Sequence, residues 1–187
     1  LAAPRLGRVS RDGPVFRSSL TLPRFPADPD VPPSAMLPVG ILFPMEFEAA
    51  PTWKRLQGRS RLEAGFETLA GSWKGLRVIS PRIGMGHPGL EKKVKVWLEQ
   101  HPCRAVILAG LAGALDPDWD EGDLTSFHAE AWPEFAVWAR SKPALRPGKW
   151  HTAHEIIETG LAKLELGRKT GCGLVEMEWD YVAEACR

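Results

Sequence analysis

The chain has almost no net charge and very little cysteine, and each shortage excludes a class of protein. Its 24 Lys and Arg residues nearly balance 23 Asp and Glu residues, leaving a formal net charge of +1 that indicates no nucleic-acid partner. Three widely spaced cysteines, Cys103, Cys172 and Cys186, do not make a disulfide framework and are typical of a reducing compartment. The sequence also lacks an apolar run of about 20 residues, and its first residues lack the apolar core that a signal peptide would have. We therefore expect a cytoplasmic protein without a membrane span or a nucleic-acid partner.

Proline is concentrated at the N-terminus. Residues 1–37 are rich in Pro and Arg and show no hydrophobic periodicity, and prolines at 23, 26, 29, 32 and 33 interrupt any helix or central strand. The whole chain of 187 residues is long enough for one domain with an apolar core. We predict an extended N-terminal arm over residues 1–37 and one domain over residues 38–187.

From residue 38 onward, short apolar strands alternate with amphipathic helices. The runs 39–43 and 104–108 predict buried strands, and Leu90, Val94 and Trp97 form one apolar helical stripe. Further predicted elements are helices over 46–56, 153–166 and 177–186 and strands over 66–69, 76–80 and 171–175. This alternation predicts an α/β fold with a mostly parallel central sheet flanked by helices, which binds ligands at the carboxyl ends of its strands.

Two glycine-rich turns follow predicted strands. Residues 84–89 match G-x-G-x-x-G between a strand and a helix, so the turn either holds a dinucleotide pyrophosphate or packs a helix against a strand. The next strand ends at Ala109-Gly110 instead of the acidic residue that would hold a ribose, which disfavours the dinucleotide. Residues 109–115 either form a close-packed turn or bring backbone close to a flat purine ring.

Two carboxylates flank Met177 at a predicted junction of strand and helix. Glu176 and Glu178 either stabilise the first turn of the helix through its dipole or accept hydrogen bonds from ribose hydroxyls. His151, His154 and Glu155 are too few for a metal site, and the chain contains no Cys-x-x-Cys pair. We therefore expect neither a metal nor a cofactor.

Taken in order, four motifs resemble the nucleoside phosphorylase/nucleosidase superfamily, in particular the branch of methylthioadenosine/S-adenosylhomocysteine nucleosidases. They are residues 39–48, Gly84–Gly86, residues 109–115 followed by Glu121–Leu124, and Val175–Glu178. Residues 164–178 also resemble short bacterial phosphorylase-like proteins. The resemblance implies the superfamily's α/β fold, a small nucleoside as partner, a homodimer, and cleavage of the bond between a purine and its ribose.

The resemblance also implies a role for individual residues. Glu48 corresponds to the group that polarises the attacking water, and Glu178 with Met177 to those that grip the ribose. Glu155 and Ile156 stand where a Phe-Ile pair usually frames the base, so a carboxylate replaces an aromatic ring. The remaining implied substrate-binding residues are Gly84, Met85, Gly86, Gly110, Ala112, Gly113 and Glu176.

The superfamily's phosphate anchors have no counterparts in this chain. Their positions hold Pro44, Leu108 and Leu111, and apolar side chains do not bind a dianion, so hydrolysis is favoured over phosphorolysis. Leu111 also replaces a serine whose hydroxyl helps to organise the hydrolytic site.

No residue corresponds to the superfamily's leaving-group acid, an Asp in a Ser-Asp pair on a later strand, since only nine residues follow Glu178. Three alternatives stay open: the sequence is truncated, the mechanism differs, or catalysis has been lost. The leading hypothesis is hydrolysis of a purine nucleoside or 5′-thio-nucleoside. The alternative is a catalytically silent homologue that binds a nucleoside or a partner.

Overall fold

The computed structural model describes residues 37–126, 137–138, 140–142 and 144–187. In the first part the elements are β1 (Val39–Leu42), α1 (Glu46–Arg55), β2 (Gln57–Ala64), β3 (Phe66–Trp73), β4 (Leu76–Arg82), α2 (Leu90–Gln100) and β5 (Ala105–Leu108). They are followed by β6 (Gly113–Ala114), β7 (Leu124–Ser126), β8 (Leu145–Pro147), β9 (Trp150–Thr152), α3 (Gly160–Thr170), β10 (Leu174–Glu176) and α4 (Trp179–Ala185). The predicted proline-rich arm lies outside the described residues except for Leu37.

A five-stranded sheet in the order β2-β3-β4-β1-β5 forms the centre of the fold. Strand β1 pairs in parallel with β4 and β5, whereas β3 pairs antiparallel with β2 and β4. The predicted α/β class, with a central sheet flanked by helices, is confirmed. The expected parallel pairing is limited in this sheet to β4-β1-β5, because tight turns at Gly65 and Gly75, with φ of +70° and +79°, fold β2, β3 and β4 into a meander.

The predicted stripe on α2 forms the main core. Leu90 and Val94 are fully buried and Trp97 is 1% exposed, and they pack with Leu42 of β1 and Val182 of α4. Burying each such apolar side chain contributes about 1.5–3 kcal/mol. The stripe therefore fixes α2 and α4 against the same sheet.

A second sheet has three strands in the order β6-β10-β9 and carries the Glu176 end of the predicted Val175–Glu178 motif. Strand β10 pairs antiparallel with β6 and in parallel with β9. The predicted helix over 153–166 is wrong in its bounds. Thr159 caps the N-terminus of α3 by accepting a hydrogen bond from the Ala162 amide, and Gly171, at a φ of +67°, ends the helix.

Backbone hydrogen bonds bring the ends of three strands together. The Ala109 N–H, after β5, donates to the Leu42 carbonyl at 2.9 Å, and the Gly84 N–H, after β4, donates to the Pro44 carbonyl at 3.1 Å. Both glycine-rich turns thus lie beside the carboxyl end of β1, as the parallel pairing requires. Among the described residues, none of the helices combines the length and apolarity needed to cross a bilayer.

Candidate active site

A cleft of about 210 Å³ opens where the two sheets meet. It is lined by Glu48 of α1, Met85 of the turn after β4, Gly113 of β6, Glu155 and Ile156 after β9, and the run Glu176–Glu178. The structure therefore brings these eight predicted site residues together. The volume lies below the roughly 300–1,000 Å³ of pockets that hold drug-sized ligands, so the cleft suits a small one.

The four other predicted residues do not line the cleft. Gly84 forms its turn at a φ of +82°, and Ala112 stands between Leu111 and Gly113. A methyl group added at Gly86 would lie 1.8 Å from the Met177 carbonyl oxygen, and one added at Gly110 would lie 3.1 Å from Glu48 Oε1. Both glycines thus permit the close approach of residues that line the cleft, Met177 at Gly86 and Glu48 at Gly110.

Glu178 is the least exposed of the carboxylates that line the cleft. Its side chain is 6% exposed, and Oε1 accepts a 2.8 Å hydrogen bond from the Gly86 N–H. The Met177 N–H lies 3.4 Å from Oε2. The glycine turn therefore presents its N–H to a carboxylate of the same chain, in the direction where a dinucleotide site would hold a phosphate. This arrangement disfavours the dinucleotide interpretation.

The surroundings of Glu178 disfavour its ionised form. Burial raises the pKa of the Glu178 carboxyl, and the negative charges of Glu176 and Glu48 raise it further. The Gly86 and Met177 N–H groups oppose this by stabilising the ionised form. A buried carboxyl with a raised pKa in a cleft is typical of a functional site.

Glu48 connects the first strand to the second glycine-rich turn. In the third position of α1, its Oε2 accepts the Met45 N–H at 2.7 Å, which completes a capping box. Its Oε1 accepts the Leu111 N–H at 2.8 Å, across 63 positions of sequence. The carboxylate is thus fixed at the cleft, with one lone pair left on each oxygen for a further donor.

Glu176 has a different set of partners, although it stands only two residues from Glu178. Its Oε2 accepts the N–H groups of Glu178 and Trp179 at 2.7 and 2.6 Å, and Oε1 accepts the Thr152 hydroxyl. This carboxylate caps the start of α4. Its geometry matches the helix-stabilising interpretation, whereas Glu178 faces the cleft.

The mouth of the cleft is apolar and open. Ile156 is 61% exposed and Leu111 is 71% exposed, and the Glu155 side chain beside them is also exposed. The carboxylate that replaces the superfamily's aromatic ring thus lies at the rim.

The sequence analysis missed several lining residues, above all Lys163 of α3, together with Met45, Ala153 and Ile157. Lys163 was not predicted because Ile157, Leu161 and Leu164 predicted a different inward face for this helix. Thr159 immediately before Gly160 was the available signal for the true N-terminus.

No metal centre was found among the described residues, since no three His, Cys, Asp or Glu side chains are grouped to bind an ion. His154, considered above as a possible ligand, has Nδ1 3.1 Å from the Tyr181 hydroxyl and stacks edge-on against that ring.

A family model described as the phosphorylase superfamily matches residues 38–126, a little under half of the chain. That segment contains β1, both glycine-rich turns and Glu48, but it ends before Glu178. None of the curated protein sequences compared with the chain matches it.

Solved structures extend the likeness to most of the chain. A 5′-methylthioadenosine/S-adenosylhomocysteine nucleosidase from Colwellia psychrerythraea, in complex with adenine, superposes with a TM-score of 0.69 at 17% identity, over 80% of this chain and 76% of that one. The corresponding nucleosidase from S. pneumoniae, with a transition-state inhibitor, gives 0.68 at 16% identity over 80% and 79%. A futalosine hydrolase mutant from Helicobacter pylori gives 0.66 at 17% identity over 80% and 83%.

The fold is thus that of the phosphorylases and nucleosidases that act on nucleosides. Together with the family match, it confirms the resemblance to the nucleoside phosphorylase/nucleosidase superfamily.

Proposed function

We propose that this protein hydrolyses the N-glycosidic bond of a purine nucleoside or a 5′-thio-nucleoside. The observation that carries the proposal is the placement of Glu178, a buried carboxylate that faces the cleft although its burial is unfavourable. The nucleosidases of similar fold, one with adenine and one with a transition-state inhibitor, support the choice of reaction.

Glu178 and Glu48 have complementary roles in this reaction. Glu178 accepts hydrogen bonds from ribose hydroxyls, and its charge stabilises the oxocarbenium-like sugar as the bond to the base breaks. Glu48, held by the Met45 and Leu111 N–H groups, uses its free lone pairs to orient and deprotonate the attacking water. Met177 packs against the sugar, and Gly113, Ala153 and Ile156 form the surface against the base.

The apolar residues that line the cleft disfavour phosphorolysis. The positions that anchor phosphate in the superfamily hold Pro44, Leu108 and Leu111, and Pro44 and Leu111 line the cleft. Apolar groups do not compensate the desolvation of a dianion. We therefore propose water as the acceptor and free ribose or its 5′-substituted derivative as the product. We also propose a cytoplasmic homodimer, as the sequence resemblance implies; light scattering tests the dimer.

The test is release of free base, followed by chromatography, from adenosine, inosine and 5′-methylthioadenosine, with and without inorganic phosphate. We expect release that does not depend on phosphate. Glu178→Gln and Glu48→Gln are expected to lower kcat/KM by about 10² or more. Glu158→Gln, an exposed carboxylate that does not line the cleft, is the matched control and should keep the wild-type rate.

Three results would count against the proposal. Full activity in both cleft variants would show that Glu178 and Glu48 do not have the proposed roles. A rate that requires phosphate would show that the reaction is phosphorolysis. Tight binding of nucleoside without release of base would favour the catalytically silent homologue.

A further inference from the structure

Lys163 is the one cationic side chain among the described residues that line the cleft, which four carboxylates also line. None of the ion pairs in the described part of the chain includes this ammonium. An ammonium offers three hydrogen-bond donors and no acceptor. The cleft therefore holds a hydrogen-bond donor that has no role in the hydrolysis described above.

The position of α3 fixes the direction of Lys163. A methyl group added at Gly167 would lie 2.9 Å from the Leu115 carbonyl oxygen, so α3 approaches the segment after β6 at backbone distance. Lys163 precedes Gly167 by four residues and shares its face of the helix. The Thr159 cap and the left-handed Gly171 define the two ends of α3, which makes this register specific.

The ammonium lies over the floor of the cleft at Gly113. A methyl group added at Gly113 would lie 3.8 Å from Lys163 Nζ and 3.1 Å from Val175 Cγ1. Gly113 and Val175 are paired neighbours on β6 and β10. The ammonium thus stands at Gly113 of β6, which belongs to the surface proposed above to face the base.

We propose that Lys163 donates a hydrogen bond and then a proton to the departing base, an inference that rests on the proposed function. The C1′–N bond breaks and its electron pair passes to the base, while water forms the C1′–O bond and loses a proton to Glu48. The base takes its proton from the Lys163 ammonium. Exchange with solvent returns a proton to Lys163 and removes one from Glu48, so atoms and charges balance.

The experiment compares two ribosides whose leaving groups differ in how much they need a proton. A purine nucleoside requires protonation of its base, whereas 4-nitrophenyl β-D-ribofuranoside releases a stable phenolate. We expect Lys163→Met to lower kcat/KM for the nucleoside by about 10²–10³ and to leave cleavage of the nitrophenyl riboside nearly unchanged. Lys163→Arg keeps the cation and the hydrogen-bond donors, but arginine does not release a proton, so it should restore only the part of the rate that the hydrogen bond supplies. Lys169→Met, an exposed lysine of the same helix outside the cleft, is the control.

Each outcome decides a specific point. If wild-type protein releases base but Lys163→Met does so equally well, or loses both substrates equally, the assignment of Lys163 is wrong and the proposed function stands. If the wild type cleaves only the nucleoside, loss in Lys163→Met that Lys163→Arg restores only in part supports the assignment, and full restoration by Lys163→Arg overturns proton donation because arginine keeps its proton. A wild-type protein that cleaves neither substrate overturns the proposed function and this inference with it.

Discussion

The adjacent carboxylates Glu176 and Glu178 should respond in opposite ways to the same substitution. Glu176→Gln weakens the hydrogen bonds from two backbone N–H groups and the Thr152 hydroxyl. Loss of a charged cap of this kind costs about 1–2 kcal/mol. For a chain of this size each kcal/mol moves the melting temperature by about 2–4 °C, so we expect a decrease of about 2–8 °C at pH 7.

Glu178→Gln is expected to leave the melting temperature at pH 7 unchanged or to raise it. The amide oxygen still accepts the Gly86 N–H, while the unfavourable burial of a charge disappears. The same variant loses the proposed charge-assisted hydrogen bond to the sugar, worth about 1.5–3 kcal/mol, which corresponds to about 10–10² in kcat/KM. Stability and activity therefore move in opposite directions at this residue.

The pH dependence gives the sharper test. Because the pKa of Glu178 is raised in the folded protein, its contribution to stability is complete below the unfolded pKa of about 4.3 and is lost as pH rises through the folded pKa. The stability of Glu178→Gln relative to wild type should therefore increase from pH 4 to pH 7. Urea unfolding of wild type and both variants at several pH values measures this. A larger loss at pH 7 in Glu178→Gln than in Glu176→Gln would refute the reasoning.

Two further predictions concern the packing of a glycine at the site and a buried histidine in the main core. Gly86→Ala should abolish activity and lower stability, because the methyl group would overlap the Met177 carbonyl oxygen; Gly160→Ala, where the same group meets no atom within 4 Å, should leave the melting temperature within about 1 °C. His101, 1% exposed against Trp97, has no hydrogen-bond partner for either ring nitrogen among the described residues, and burial lowers its pKa. Its neutral form is favoured by folding, so stability is complete above the unfolded pKa of about 6.5 and decreases as pH falls below it. His101→Phe should flatten urea-unfolding stability between pH 7.5 and 5.5, and parallel curves for variant and wild type would contradict this.

Hydrophobic period and glycine position predicted most of the first sheet. The apolar runs became β1 and β5, and the stripe of Leu90, Val94 and Trp97 became the buried face of α2. Strand β2 was missed because its sequence, Gln57–Ala64, is polar and charged and gives no apolar signal. Its pairing with β3 is set by the antiparallel register, which a sequence pattern does not encode.

Helix α3 shows why the second half of the fold was harder to predict. Ile157, Leu161 and Leu164 suggested one helical face, but Leu161 is 68% exposed and Leu164 is 41% exposed. The face that packs is marked by Gly167 instead, through its close approach to Leu115. A glycine contact gives no hydrophobic signal, and Leu166, which packs beside it against the Leu115 cluster, does not define a face by itself. The cleft position of Lys163 was therefore also hidden.

The different roles of Glu176 and Glu178 could not be separated from sequence either. Both carboxylates stand at a strand-to-helix junction, where a cap and a ligand contact are chemically equivalent choices. What separates them is a long-range contact, since Gly86 comes within reach of Glu178 across 92 positions of sequence. Only the packing of β4 beside β1, and of β10 against the first sheet's turns, determines which carboxylate meets the glycine.

The hydrogen bonds of the cleft explain why its motifs occur together in one chain. Glu178, from the Val175–Glu178 motif, accepts the N–H of the first glycine turn, and Glu48, from the first turn of α1, accepts the Leu111 N–H of the second. Each carboxylate therefore positions a turn while that turn positions the carboxylate. Removing one partner leaves a buried charge or an N–H group unsatisfied, which costs about 1–3 kcal/mol or more. The four motifs are thus coupled energetically as well as by the proposed reaction. In a chain that keeps Glu48 and Glu178, a change in either turn alone is expected to lower stability.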